Sequence, residues 1–425
     1  VEPKIYFPED HGLNEDLIDP DALFIINKLR DAGHTAYLVG GGVRDILAGQ
    51  HPKDFDISTS ALPEEIKKIF RRSCILIGRR FRLAHIRFGR KIFEVSTFRA
   101  GNPTDSELIV RDNEWGTPEE DALRRDFSIN GLFYDPYHKT VIDYVDGWHD
   151  LKDGVLRSIG DPEIRFKQDP VRMIRLLKFH ARFQWRIEKA SIEALQKCRD
   201  EITKSAPARI LEELLRMLES GHGCNFFKLL SNYQFLELLI PELDRFLSTE
   251  TGDQIYQFLE TADQVHKKND LITLERPILI ACILFPILQR RIDLHMERHR
   301  KPPNLGEISL MVQAVIRETM TDAITHFPRK LATSCAYILT TQYRLTPLVK
   351  KRHHSTKFLY DKNFPEALRF FRIRALIDET LSDIFFEWEQ TYHQVKRHHG
   401  DHKPKYASKQ RKTKKRRGSR AKPRS

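Results

Sequence analysis

The stretch Leu38–Asp56, LVGGGVRDILAGQHPKDFD, decides how the rest of this chain is read. It sets a glycine run and an Arg-Asp pair ahead of two aspartates, Asp54 and Asp56, that flank one phenylalanine. In an extended strand, residues two apart share a side. An Asp54–Thr59 strand therefore turns both carboxylates to one space and Phe55 and Ile57 to the core. Carboxylates that close repel, so a cation is expected between them. Hard oxygen donors suit Mg²⁺, Mn²⁺ takes the same donors, and Mg²⁺ usually arrives with phosphates. The combination points to nucleotidyl-transfer chemistry. A bare surface turn is the plainer alternative for the same two aspartates.

The neighbouring residues extend this reading. Gly40 and Gly41 let backbone approach a phosphate and line it with N–H groups, and Arg44 or Lys53 adds positive charge. Glu94, alternating with Phe93 and Val95 in KIFEVSTF, is the candidate third carboxylate; an edge-strand charge is the alternative. Arg79, Arg80 and Arg82 in GRRFRLAH suit a triphosphate or a primer phosphate, or else a salt-bridged surface. In EEDALRRDFSINGLFYD, Arg124, Arg125 and Asp126 close a short helix, and Asn130 is a candidate partner for a sugar hydroxyl or a base. RFKQDPVRMIR spaces Asp169, Arg172 and Arg175 by three, on one helical face. A carboxylate and a guanidinium so held can read the edge of a base; an intrahelical salt bridge explains the same spacing.

Periodicity divides the chain. Apolar positions predict a helix over 21–31 and strands over 35–39, 54–59, 74–77, 83–88 and 92–98, with Gly89-Arg90 as a hairpin turn. After Arg165 the helical period takes over, with helices over 188–199, 207–220, 224–232, 249–265, 275–291, 305–320, 328–342 and 364–396. The expected fold class is α+β: a small mixed-sheet head, then an all-helical neck and body, then a disordered basic tail. The expected boundaries are a loose lead-in at 1–20, a catalytic head at 21–150, a neck that selects the nucleotide at 151–240, an RNA-binding body at 241–395, and the tail at 396–425.

Composition limits the partners. The chain has 425 residues, 40% hydrophobic and 31% charged, and a net charge of +12. Fourteen Lys/Arg and one acidic residue fall between Lys396 and Ser425, so the tail accounts for the whole excess. It lacks apolar periodicity and is expected to hold a nucleic-acid backbone without reading sequence. Five scattered cysteines, no run of 18 apolar residues and no signal-peptide pattern predict a reduced, cytoplasmic protein with no membrane partner.

These motifs together resemble the tRNA nucleotidyltransferase/poly(A) polymerase family, class II nucleotidyltransferases, most strongly over residues 20–240. LVGGGVRDILAG with DFD resembles its first motif, which puts the metal-binding aspartates on Asp54 and Asp56; EVSTFR puts a third acid on Glu94. RRDFSIN implies an active-site role for Asp126 and nucleotide binding by Arg125. QDPVRMIR implies base selection by Asp169, Arg172 and Arg175, with Gln168 where the family usually has an acid. APARILEELLRML resembles a later bracing helix. GRRFRLAHIRF and the basic tail resemble the bacterial poly(A) polymerase branch. The short loop from Asn102 to Leu108 is a point of departure, in a segment that varies among such enzymes. The branch implies Mg²⁺-dependent transfer of AMP from ATP to RNA 3′ ends, with RNA-decay proteins as possible partners. A CCA-adding enzyme is the runner-up, and a catalytically weak RNA-binding adaptor is the reading from another class.

Overall fold

The computed structural model describes residues 2–78, 83–100, 114–268, 274–349 and 357–401. Arg79, Arg80, Arg82, the loop Asn102–Leu108 and the tail beyond 401 lie outside the described residues.

Eight strands form one mixed sheet: β1 (Lys4–Tyr6), β2 (Ala36–Val39), β3 (Asp56–Thr59), β4 (Cys74–Ile77), β5 (Leu83–Phe88), β6 (Lys91–Thr97), β7 (Leu132–Asp135) and β8 (Thr140–Asp143). Their order is β1-β8-β7-β2-β3-β6-β5-β4. Within it β3 and β6 run parallel, while the other neighbouring pairs are antiparallel. Gly89, at φ +57°, turns β5 into β6, and Phe88 faces Lys91 across the turn. Helices Pro20–Asp31 and Pro63–Phe70 bury Ile25, Ile26, Leu29, Ile66 and Phe70 in one core with Ile57, Ile86, Phe93 and Val95 of the sheet. From Pro162 onward the described residues are almost wholly helical, beginning with Pro162–Gln168 and Val171–Phe183. The same core continues into these helices through Met173, Leu177, Leu214 and Phe227 to Phe370. A smaller apolar cluster forms near the far end around Phe358, Phe364, Phe371 and Phe385.

Several local expectations change. The lead-in is not loose: Lys4–Tyr6 pairs with β8, and His11 is buried against Lys139. The third strand starts at Asp56, so Asp54 sits in the segment that enters it. Strands β7 and β8 also went unread. The expected helix at 364–396 breaks at Asp378, whose side chain accepts from Thr380 N, giving Phe364–Ile377 and Ser382–Asp401. The helix at 305–320 ends at Ile316 and passes into a wider turn, Arg317–Thr321.

Candidate active site

Strand register builds the acidic side of the site. Asp56 lies directly opposite Glu94 on the parallel β3–β6 pair, so both side chains leave one face of the sheet. Glu94 lies opposite His85 of β5 in turn, with His85 Nε2 3.5 Å from Glu94 Oε1. Asp56 opens onto a cleft, yet its carboxyl is pushed up to about 6, first by the surrounding protein and then by the charges of Glu94 and Asp54. Like charge gathers here without an equal cation against it. Among the described residues, no three His, Cys, Asp or Glu side chains converge on a preformed cation site.

The glycine run brings the opposite wall close. Gly40 precedes the short helix Gly41–Leu47 with φ +67°, and a Cβ there would lie 3.1 Å from Arg125 Nη1 and 3.8 Å from Asp56 Oδ2. Gly42 packs on the Asp54 carbonyl, 3.1 Å from where its Cβ would stand. Glycine at these positions seats the aspartates beside an arginine.

That arginine belongs to a pair fixed by a residue the sequence reading passed over. Asp121, fully buried, accepts from Arg124 Nε at 2.8 Å and Arg125 Nη2 at 2.8 Å. Burial pushes its carboxyl up, but the two guanidinium charges win and hold it below the usual range. The i,i+3 and i,i+4 spacing was a legible signal. Arg125 makes only longer contacts elsewhere, to Ser58 Oγ at 3.3 Å and the Asn130 carbonyl at 3.4 Å; its buried Nε has no hydrogen-bond partner. Behind the pair, Arg165 and Arg172 donate to the carbonyls of Leu123, Arg124 and Arg125. Both side chains thus satisfy the C-terminal end of the helix Pro118–Leu123.

Asp126, on the lining of the same cleft, joins a chain of alternating charges. Arg44 donates to Asp45 Oδ1 and to Asn130 Oδ1 (2.6 Å); Asn130 Nδ2 donates to Asp126 Oδ1 (2.9 Å); Arg175 Nε donates to Asp126 Oδ2 (2.7 Å). Arg175 continues to Glu213 at 3.1 Å, and Lys178 also donates to Glu213. Burial alone would raise Asp126, but Arg175, the Asn130 hydrogen bond and Arg172 hold it far below the usual carboxylate range. Arg44 lies over the Phe179 ring at 4.8 Å. Arg44, Asn130, Asp126 and Arg175 are thus committed to one another. Glu94 stands opposite Asp56 across the strand pair, while Asp126 is bonded to Asn130 and Arg175.

The expected base-reading trio also divides. Asp169 precedes the helix Val171–Phe183 and receives both Nη groups of Arg209 at 2.9 Å, while Arg172 Nε stands 4.0 Å away. Arg175 points instead to Asp126. Gln168 is buried and accepts from Arg165 at 3.1 Å. Arg209, Glu213, Lys178 and Arg182 were missed because their partners lie 35 or more residues away in the sequence. The structure nevertheless brings Gly40, Gly41, Arg44, Lys53, Asp54, Asp56, Glu94, Arg125, Asp126, Asn130, Asp169, Arg172 and Arg175 to the lining of one cleft of about 1060 Å³.

A mixed sheet presenting paired carboxylates to an arginine-lined cleft, with helices closing the far wall, defines a nucleotidyltransferase. The fold is shared with the CCA-adding enzyme of Bacillus stearothermophilus solved with CTP (TM-score 0.60, 22% identity, 89% of this chain and 83% of that one). Residues 36–157 match the poly A polymerase head domain. Residues 185–247 match the probable RNA and SrmB-binding site of polymerase A, and 307–423 its arginine-rich C-terminus. Poly(A) polymerase I of Escherichia coli O157:H7 is 38% identical over 387 residues, covering 87% of this chain and 81% of the relative. The CCA-adding enzyme of Lactobacillus helveticus is 35% identical over 222 residues, covering 51% of this chain and 54% of the relative. The chain belongs to the poly(A) polymerase family.

Proposed function

We propose that this chain is a polynucleotide adenylyltransferase, adding AMP from ATP to RNA 3′ ends without a template. The observation that carries the reading is the extent of likeness: it runs through head, helical body and arginine-rich C-terminus for a poly(A) polymerase, and through about half the chain for a CCA-adding relative. In the reaction the RNA 3′-oxygen attacks the α-phosphorus of ATP. The α–β phosphoanhydride bond breaks, pyrophosphate leaves, and the hydroxyl proton passes to solvent or a nearby base.

Asp54, Asp56 and Glu94 would hold Mg²⁺ or Mn²⁺. All three supply hard oxygen donors, and Asp56 and Glu94 lie directly opposite each other on one face of the sheet. When bound, the metal neutralises charge on the phosphates and lowers the pKa of the attacking hydroxyl. The protein's part is positioning. The backbone of Gly40 and Gly41 approaches the triphosphate, and Arg125, with its partnerless Nε, faces the same space. Lys53 adds positive charge along the triphosphate. Arg172 and Asp169 face the base, while Arg44, Asn130, Asp126 and Arg175 keep the cleft in shape. The head (21–150) carries the chemistry, the neck (151–240) selects adenine, and the body (241–395) and tail (396–425) follow the RNA. Five buried free cysteines, with ATP and transcripts as substrates, suit the cytoplasm. Tails added there would expose transcripts to decay proteins.

The test is extension of a short non-tRNA primer with Mg²⁺ and each ribonucleoside triphosphate in turn, with Asp54→Asn as control. A ladder of many adenylates from ATP alone, absent in the control, is expected. Addition of C then A to a tRNA lacking its end, and nothing on the primer, would make the chain a CCA-adding enzyme.

A further inference from the structure

The register that pairs Asp56 with Glu94 continues across the sheet. Glu94 faces His85, and His85 faces Ile75 on the edge strand β4. Directly opposed residues share a face, so Asp56, Glu94, His85 and Ile75 form one row. Ile77, opposite Leu83, lies one step along the same face, and Ile92, opposite Arg87, one step the other way. The reverse face is core: Cys74, Ala84, Ile86, Phe93 and Val95 are all buried. On the catalytic face, by contrast, Ile75, Ile77 and Ile92 are 45%, 44% and 54% exposed. Three half-exposed isoleucines beside a carboxylate pair are costly to leave in water, and they adjoin the place where a nucleotidyl acceptor must arrive.

Charge decides which substrate end belongs there. Another part of the cleft lining carries Arg124 and Arg125, a setting for triphosphate. The apolar row starts at Glu94 and runs to the sheet edge. It suits the face of a base and the apolar side of a ribose better than a polyanion. His85 stands at the join, half-buried, with its imidazole toward Glu94, where a hydroxyl-bearing sugar would meet both groups.

Resting on the adenylyltransferase reading above, we propose that the open face of β4–β6 seats the 3′-terminal nucleotide of the acceptor RNA. Ile75, Ile77 and Ile92 form the floor under its base, and His85 is the positioning residue for its ribose. The face is continuous with the acidic row, so a nucleotide lying on it turns its sugar toward Asp56 and Glu94.

The full chain with Ile75→Ser, Ile77→Ser and Ile92→Ser together tests the floor, since exposed positions tolerate serine. The KM for a short RNA primer should rise roughly tenfold, the value for removing about 1.4 kcal/mol of apolar contact. The KM for ATP and kcat at saturating primer should stay the same. Ile5→Ser, at an equally exposed residue on the opposite edge of the sheet, is the control. A primer ending in 4-thiouridine should photo-crosslink within 74–92. An unchanged primer KM, or crosslinks only elsewhere, overturns the proposal and leaves the face to a protein partner. For the ribose contact, His85→Ala should raise the KM several-fold for a primer with a ribose terminus and not for one with a 2′-deoxy terminus. An equal effect on both, or none, refutes that contact. A wild-type chain that fails to extend any primer would instead defeat the adenylyltransferase reading, before either variant is compared.

Discussion

The two sides of the cleft use the same residue types in opposite ways. On one, Asp54, Asp56 and Glu94 gather like charge that the protein does not balance, and the Asp56 carboxyl rises to about 6. On the other, Asp126, Arg175, Glu213 and Lys178 alternate in sign, the first buried and the rest partly so, each bonded to the next. An acid left short of a cation has free energy to offer an incoming metal or substrate. An acid already saturated by guanidinium holds the wall still. In the proposed reading, electrostatic incompleteness, more than mere presence in the cleft, separates the reacting side from the supporting side.

Asp56→Asn should be the most damaging change for activity and among the least for folding. Adenylate transfer in single-turnover extension should fall roughly 10³-fold or more. The thermal midpoint in metal-free buffer at pH 8 should hold or rise, because a repulsive charge is removed; a clear drop would mean that Asp56 is part of the framework. Mg²⁺ should raise the midpoint of the wild type and not of this variant.

Asp126→Asn should show the reverse balance. It leaves a partly buried Arg175 with half its pairing, a change whose cost approaches that of fully buried pairs, about 3–5 kcal/mol. Urea unfolding would measure this, and a loss below about 1 kcal/mol would remove the distinction drawn between the two sides. Pairing Asp126→Asn with Arg175→Met should recover part of the loss, since the stranded charge is gone.

Asp121→Ala lies between these extremes, freeing Arg124 and Arg125 without touching the acids. The KM for ATP should rise about tenfold, the equivalent of one charge-assisted hydrogen bond, with a smaller effect on kcat. An unaltered KM would show that Arg125 is held by other contacts.

The smallest effect is expected at Asp263, a buried acid that accepts only from the backbone N–H groups of Gly223 and Cys224. Burial pushes it up to about 6, against the pull of those two hydrogen bonds. The folded chain therefore binds this proton more tightly than the unfolded chain. The stability it contributes is full below about pH 4 and is lost as pH rises through about 6. Asp263→Asn should flatten that part of a thermal-midpoint profile between pH 4 and 7. An identical slope in both proteins would mean that the Asp263 proton does not contribute.

What could be read from the sequence follows from how local each signal is. The Asp54–Asp56 pair and the alternation around Glu94 are contained in a few residues, and the mixed head and helical remainder follow from the change of apolar period. Strands β7 and β8 escaped because all eight of their residues are buried, which erases alternation. Strand β1, at three residues, is too short to show a period. The bonding of Asp126 was not legible because its partner, Arg175, is 49 residues away, and a motif does not disclose which neighbour the fold will supply. The spacing of Asp169, Arg172 and Arg175 placed Arg172 and Arg175 on one helix but not Asp169, which precedes it, and the three side chains end on three different partners.

The pairing of β1 with β8 ties the start of the chain to residues about 140 positions later, and β2 likewise waits for β7, where Leu38 meets Tyr134. Synthesised from its amino end, the polypeptide cannot close that sheet until β8 has left the ribosome. The brace on Asp126 waits longer still, for Arg175 and then Glu213. The acids at 54 and 56 thus emerge early but gain their supporting wall late, so a nascent or truncated chain carries the reactive residues without the cleft that directs them.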